Sequence, residues 1–297
     1  MRKNLRIFAL PAISYLIISI WSIFWIGGAL CVFSIGEPVP REDGYPFLTE
    51  IKWSDMNRYI FFYDVFGLFW LTAFIIGMSQ FIIGCSACIW YFECRGPNKG
   101  AGTVGKAMYW AYRYHMGSVA FGSFLIAVCQ MLRFLFEYYR RKMGIAEKTK
   151  IVKILLCITG YLLWLMEKCV KFITKNAYIQ VALTNKFFCK AAWNGFMLIV
   201  KNMGRFGAAK FIGTIYIGFG GLMLATTNMI IAYVIMTQTG YIVVVSPIPT
   251  CLCVGVITIL ISYTFLSIFS FSTDAILQSF LLDEELRFHG NDRPEYI

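Results

Sequence analysis

Residues 211 to 273 run for 63 positions without one Asp, Glu, Lys or Arg. As helix at 1.5 Å per residue this run is roughly 95 Å long, about three times a ~30 Å hydrocarbon core. It therefore predicts two membrane spans, with the break between Thr239-Gly240 and Pro247-Ile248-Pro249. The rest of the chain has the same bias. Of its 297 residues 59% are hydrophobic and 14% charged, against roughly 45–50% and 25% in soluble domains. Mean hydropathy is +0.66. A water-soluble core, a collagen, a disordered tail and a disulfide miniprotein are all excluded.

Further spans follow from the other uncharged runs. Ile7 to Ile35 is too long for a signal-peptide core and reads as a retained helix. Val65 to Phe92 is the second run, closed by the glycine- and proline-bearing Glu93 to Lys106. Met116 to Leu132 is the third, extended backwards by Tyr109, Trp110 and Tyr112. Ile154 to Met166 is shorter and reads either as a marginal span or as a helix in the interface; Asn176 to Arg205 is mixed. Glu37 to Arg58, with three prolines and five acids, reads as a solvated loop. The fold expected is all-α: a polytopic membrane protein of about six transmembrane helices with an amphipathic or marginal helix in the middle. Its divisions are 1–58 (leading helix and acidic loop), 59–273 (helical membrane domain) and 274–297 (polar C-terminal tail). Alternating ten-residue strands, as in an outer-membrane barrel, are absent.

The net charge of +11 comes from clusters beside these runs: Arg2, Lys3 and Arg6, then Arg133, Arg140, Arg141, Lys142, Lys148, Lys150 and Lys153. Next to apolar spans such clusters mark inward-facing loops or contact with anionic phospholipid, not nucleic acid. With six crossings the N-terminus, the 93–106 loop, the 175–210 region and the tail face inward and the acidic 37–58 loop outward. The basic 140–150 stretch then lies on the wrong side; laying 154–172 in the interface moves it inward but reverses the N-terminal half. Nearly all ten cysteines sit in apolar runs as small hydrophobes, Cys85-x-x-Cys88 included. With only His115 and His289 present, no histidine metal cluster exists. No metal, cofactor or catalytic residue is expected, and no nucleophile–base motif supports an enzyme.

Charge within a span marks function by default. Asp64, Arg113, His115, Arg133 and Glu137 all lie near span ends, where snorkelling or pairing accounts for them. Deeper polar groups are the amides of Gln80, Gln130 and Asn228. Ser118/Gly122, Gly204/Ala208 and Gly221/Ala225 have the small-xxx-small spacing that brings helix backbones together. Trp21, Trp25, Phe66 to Trp70 and Trp90 to Phe92 read as interfacial belts or, more sharply, as an aromatic cage for a quaternary ammonium.

Several patterns then occur in a definite order. Phe66-Gly67-Leu68-Phe69-Trp70 and Ala87-Cys88-Ile89-Trp90-Tyr91-Phe92 precede Tyr114-His115-Met116-Gly117-Ser118-Val119-Ala120-Phe121-Gly122-Ser123. Gln130 and Arg133, Glu167-Lys168, Asn176-Ala177-Tyr178-Ile179, Phe188-Cys189, and Asn202 with Arg205 follow. Asp274, Asp283-Glu284-Glu285 and Asn291 to Tyr296 close the series. From about residue 60 onward this string resembles the choline transporter-like family, covering the C-terminal half of its membrane region.

The resemblance implies a polytopic helical carrier for choline or a related cationic amine, in a plasma membrane or mitochondrial inner membrane. Trp70, Tyr91 and Tyr178 are then the expected contacts for the cation and Gln130 for a hydroxyl. Arg113, His115, Gly117, Ser118, Gly122, Ser123, Arg133, Asn176, Asn202 and Arg205 are the expected structural motif residues. Family members carry about ten spans and a large loop after the first, so the chain corresponds to a shortened carrier. The alternative is a transport-inactive subunit of a larger membrane complex, such as a respiratory chain or ATP synthase, with other membrane subunits as partners.

Overall fold

The computed structural model describes residues 5–40, 49–52, 54–93, 102–142, 150–238 and 247–288. Helices dominate them: α1 (Ala9–Ser34), α2 (Asp55–Glu93), α3 (Thr103–Trp110), α4 (Met116–Lys142), α5 (Lys150–Thr184), α6 (Phe188–Lys201), α7 (Met203–Gln238) and α8 (Ile248–Phe288). A 3-10 turn, Leu5–Phe8, leads into α1, and a π-helical turn, Ala111–His115, joins α3 to α4. Such turns carry i→i+5 bonds and often accompany functional segments; here the turn carries Arg113 and His115.

Five stretches are long and apolar enough to cross a membrane: Ala9–Ser34, Asp55–Glu93, Thr103–Lys142, Met203–Gln238 and Ile248–Leu286. The chain is an all-α polytopic membrane protein. The longer of the two helices between the third and fourth spans, α5, runs unbroken for 35 residues. Glu167, Lys168, Lys171 and Lys175 interrupt its apolar character, which separates it from the five.

Local chemistry sets the boundaries. Pro11 falls in the first turn of α1 and Pro249 in that of α8, where the missing N–H is harmless. Gly102 takes a left-handed φ of 76° ahead of α3, and Asn185 (φ 51°) ends α5 in the left-handed conformation common after helix C-termini. The break expected near Thr239 to Pro249 agrees with α7 ending at Gln238 and α8 starting at Ile248. Arg2, Lys3, Cys94 and Lys148 lie outside the described residues.

Three expectations need correction. The 37–58 region is not wholly loop: β1 (Glu37–Pro40) and β2 (Thr49–Lys52) pair antiparallel, Glu37 opposite Lys52, and Asp55 to Arg58 already belong to α2. A two-stranded ribbon tolerates Pro38 and Pro40 because its outer edge needs no N–H donors. The polar segment after residue 273 opens as helix, since α8 continues to Phe288. Gly204 and Ala208 are exposed and close no helix contact, whereas Gly122, Gly221 and Ala225 are buried.

The chain divides into two compact units interleaved along the sequence. The first comprises residues 1–11, 80–113 and 177–297, and the second 12–79 and 114–176. In the first, α7 and α8 form a long antiparallel hairpin whose backbones approach at glycines. A Cβ on Gly220 would stand 3.3 Å from Leu266 Cδ1, and one on Gly255 would stand 2.5 Å from Met229 Sδ. The parts of α2, α5 and α8 within this unit bury Phe81, Ile89, Ile179 and Val181 almost completely. A Cβ on Gly84 of α2 would lie 3.1 Å from Phe271 of α8 and 3.4 Å from Ile179 of α5. Lipid is as apolar as these side chains, so close packing and polar pairing must hold such helices together.

Candidate functional site

The interior of the first unit contains a seam of paired polar side chains, beside which the buried Ser272 hydroxyl has no partner among the described residues. Gln180 of α5 and Gln278 of α8 are 2% and 0% exposed, and the Gln180 amide donates to Gln278 Oε1 at 3.1 Å. The hydroxyls of Ser86 and Thr103, both buried, lie 2.9 Å apart. The Tyr91 hydroxyl donates to Asp283 Oδ2 at 3.4 Å, and Lys210 of α7 pairs with the buried Asp274 of α8. Beyond Asp274, α8 carries two exposed ion pairs, Glu284 with Arg205 of α7 at 2.5 Å and Glu285 with Lys201 of α6 at 3.0 Å. The buried amides present acceptors and donors without formal charge, while Tyr91 and Tyr178 add aromatic surface.

The second unit is built differently. Trp70 stacks obliquely on Phe66 (6.3 Å) and meets Phe124 edge-on (5.7 Å). Its indole N–H donates to the Ala120 carbonyl at 3.3 Å. The edge-to-face series continues through Phe62, Phe69, Phe134 and Tyr138. A cavity of about 230 Å³ beside Trp70 is lined by Gly67, Leu71, Phe74 and Ala120, and this lining offers no side-chain hydrogen-bond acceptor. Glu167 of α5 accepts from Arg133 of α4 at 2.8 Å and from Lys171 at 2.5 Å. Burial pushes the Glu167 carboxyl up, but the hydrogen bonds from Lys171 and Arg133 outweigh that and hold it below the usual carboxylate range.

The four expected solute contacts fall into both units. Tyr91 and Tyr178 belong to the first; Tyr178 is buried with its ring edge against Phe188 at 6.1 Å. Trp70, exposed beside its aromatic neighbours, and the half-buried Gln130 belong to the second. Trp70 and Tyr91 lie twenty-one residues apart on one helix, about 31 Å at 1.5 Å per residue. The structure does not bring them together in one cage.

The motif residues differ in burial and in partners. Ser123 is wholly buried, its hydroxyl 2.8 Å from the Val119 carbonyl of its own helix and 3.2 Å from the Ala73 carbonyl of α2. Gly122 beside it is buried, Ser118 is half-buried and Gly117 exposed. Arg113 is exposed and His115 half-buried in the π turn. The buried Asn176 amide donates to the Phe172 carbonyl at 2.8 Å, and Asn202, closing α6, donates to the Leu198 carbonyl at 3.1 Å.

A family model described as plasma-membrane choline transporter matches residues 1–285. The chain belongs to this choline transporter family. The match begins at residue 1, not near residue 60, so the leading helix belongs to the family region as well. Choline transporter-like protein 2 of Dictyostelium discoideum is 28% identical over 295 residues, 98% of this chain and 46% of that protein. Choline transporter-like protein 2 of Danio rerio is 31% identical over 78% of this chain and 34% of its own length. Choline transporter-like protein 1 of Rattus norvegicus is 26% identical over 95% and 42%. The chain thus spans less than half the length of these curated relatives.

Within this choline transporter family member, sequence reasoning missed Gln180, Gln278, Asp274 and Asp283 as interior groups. Gln278 and both aspartates follow the last uncharged run and so read as tail. A four-residue spacing from Asp274 to Gln278, which puts both on one helix face, was the available signal. Gln180 had a similar signal, since Asn176 and Thr184 stand one turn before and after it on the same face, but its immediate neighbours are apolar.

Proposed function

We propose that this chain carries choline or a related cationic amine across a plasma membrane. The family match over residues 1–285 supports this reading, and the polar seam of the first unit supplies the chemistry. Choline has no N–H, so a site for it needs aromatic faces and diffuse negative potential, with a donor or acceptor for the hydroxyl. Tyr91 with Asp283, Tyr178, and the Gln180–Gln278 pair are the groups we assign to that task. Trp70 and Gln130 buttress the second unit, and the transport domain runs past the division expected at residue 273, from residue 59 through Asp283, because Gln278 and Asp283 belong to the site. The basic residues of α4 and α5 lie against anionic phospholipid. Transport by movement of helices needs no catalytic residue, consistent with transporter-like relatives.

The deciding experiment is uptake of labelled choline into proteoliposomes of the purified chain. Saturable uptake, inhibited by unlabelled choline and lowered at least tenfold by Gln278→Leu, is the expected result. Uptake no greater than in empty vesicles overturns the reading.

A further inference from the structure

Polar atoms without partners at the contact of α1 and α2, inside the second unit, point to a separate site. The Trp25 indole N–H donates to the Asp64 backbone carbonyl at 3.1 Å, fixing that ring beside the aspartate. Trp21 lies one turn earlier on the same face of α1, its ring 5.6 Å from Phe24. Among the described residues two buried atoms here have no hydrogen-bond partner, the donor Trp21 Nε1 and the acceptor Asp64 Oδ2. The nearest arginine along α2, Arg58, is already paired with Asp55 at 3.2 Å. Asp64 heads the uncharged run that starts at Val65, and Trp21 and Trp25 lie midway along the uncharged α1.

An orphaned buried carboxylate oxygen is unfavourable in this setting, and a bound cation would relieve it. A primary ammonium would bring its own N–H donors, but indole faces favour a methylated one. The indole N–H of Trp21 is then left for an oxygen on the same ligand. We infer that Asp64, Trp21 and Trp25 form a capture site for a hydroxylated quaternary ammonium, distinct from the polar seam of the first unit. The choice of ligand rests on the carrier reading above; the site itself rests on the orphaned pair. The ammonium belongs either to free choline or to a phosphatidylcholine headgroup.

The test is binding of labelled choline and tetramethylammonium to the purified chain in dodecyl maltoside, which carries no ammonium. Saturable choline binding is expected, at least tenfold weaker in Asp64→Asn, restored in Asp64→Glu and several-fold weaker in Trp25→Phe. Tetramethylammonium, lacking the hydroxyl, should bind more weakly than choline. An unchanged elution profile and melting temperature in Asp64→Asn separates loss of the site from loss of the fold. In phosphatidylcholine nanodiscs, weakened choline binding assigns the site to the headgroup as well, and unchanged binding assigns it to free amine; both support the site. Absent binding, or Asp64→Asn binding like the parent, overturns it. Asp64-dependent binding without vesicle uptake leaves the site standing and removes the carrier reading. Uptake with binding indifferent to Asp64 does the reverse.

Discussion

The two units solve the same problem with different chemistry. Both are made of helices that gain nothing from burying apolar surface away from lipid. The first joins α2, α5, α7 and α8 through amides, hydroxyls and carboxylates, several of them fully buried. The second joins α2 and α4 through tilted aromatic rings and ties Arg133 of α4 to Glu167 of α5, which also pairs with Lys171. Buried hydrogen-bonded groups are directional and permit few arrangements, while ring contacts of 0.5–1.5 kcal/mol each, roughly, tolerate small shifts. A directional polar interior fixes one arrangement of helices, whereas ring contacts let them adjust.

Substitutions in each unit put that contrast at risk. Gln278→Leu strands the Gln180 amide and should cost about 2–3 kcal/mol in thermal unfolding, together with most choline uptake. The double variant Gln180→Leu/Gln278→Leu should recover the stability but not the uptake; recovery of both would refute a transport role for the seam. Glu167→Gln weakens two charge-assisted hydrogen bonds whose basic partners are partly exposed, so about 1–2 kcal/mol is expected, with uptake by the remaining folded protein unchanged. Phe134→Leu removes edge contacts to Phe62 and Phe69. It should lower stability by about 1 kcal/mol and again spare uptake; a transport defect without loss of stability would erase the distinction between the units. The smallest effect belongs to Lys201→Ala at the exposed pair with Glu285. It should change stability by roughly 0.2–1 kcal/mol, an effect that fades at high salt.

Uncharged runs made the membrane helices legible. Ile7 to Ile35 maps onto α1, and the turn residues near Thr239 and Pro249 marked the α7–α8 break. Helix that continues past the apolar run was not legible: α2 starts ten residues before Val65 and α8 continues fifteen residues beyond Thr273. Charge tells where lipid contact ends, not where backbone hydrogen bonding ends. For the site, sequence order identified the family segments, but helical pitch decides which residues meet. Trp70 and Tyr91 share residue type and helix, yet almost six turns separate them.

The α7–α8 hairpin has one further consequence. The uncharged part of α7, from Phe211 to Gln238, is 28 residues long, and that of α8, from Ile248 to Thr273, is 26. Each spans about 40 Å along its axis, some 10 Å more than an average hydrocarbon layer. Thin bilayers would force this pair to lean or to thicken the lipid around it, and thick, sterol-rich ones would ease that mismatch.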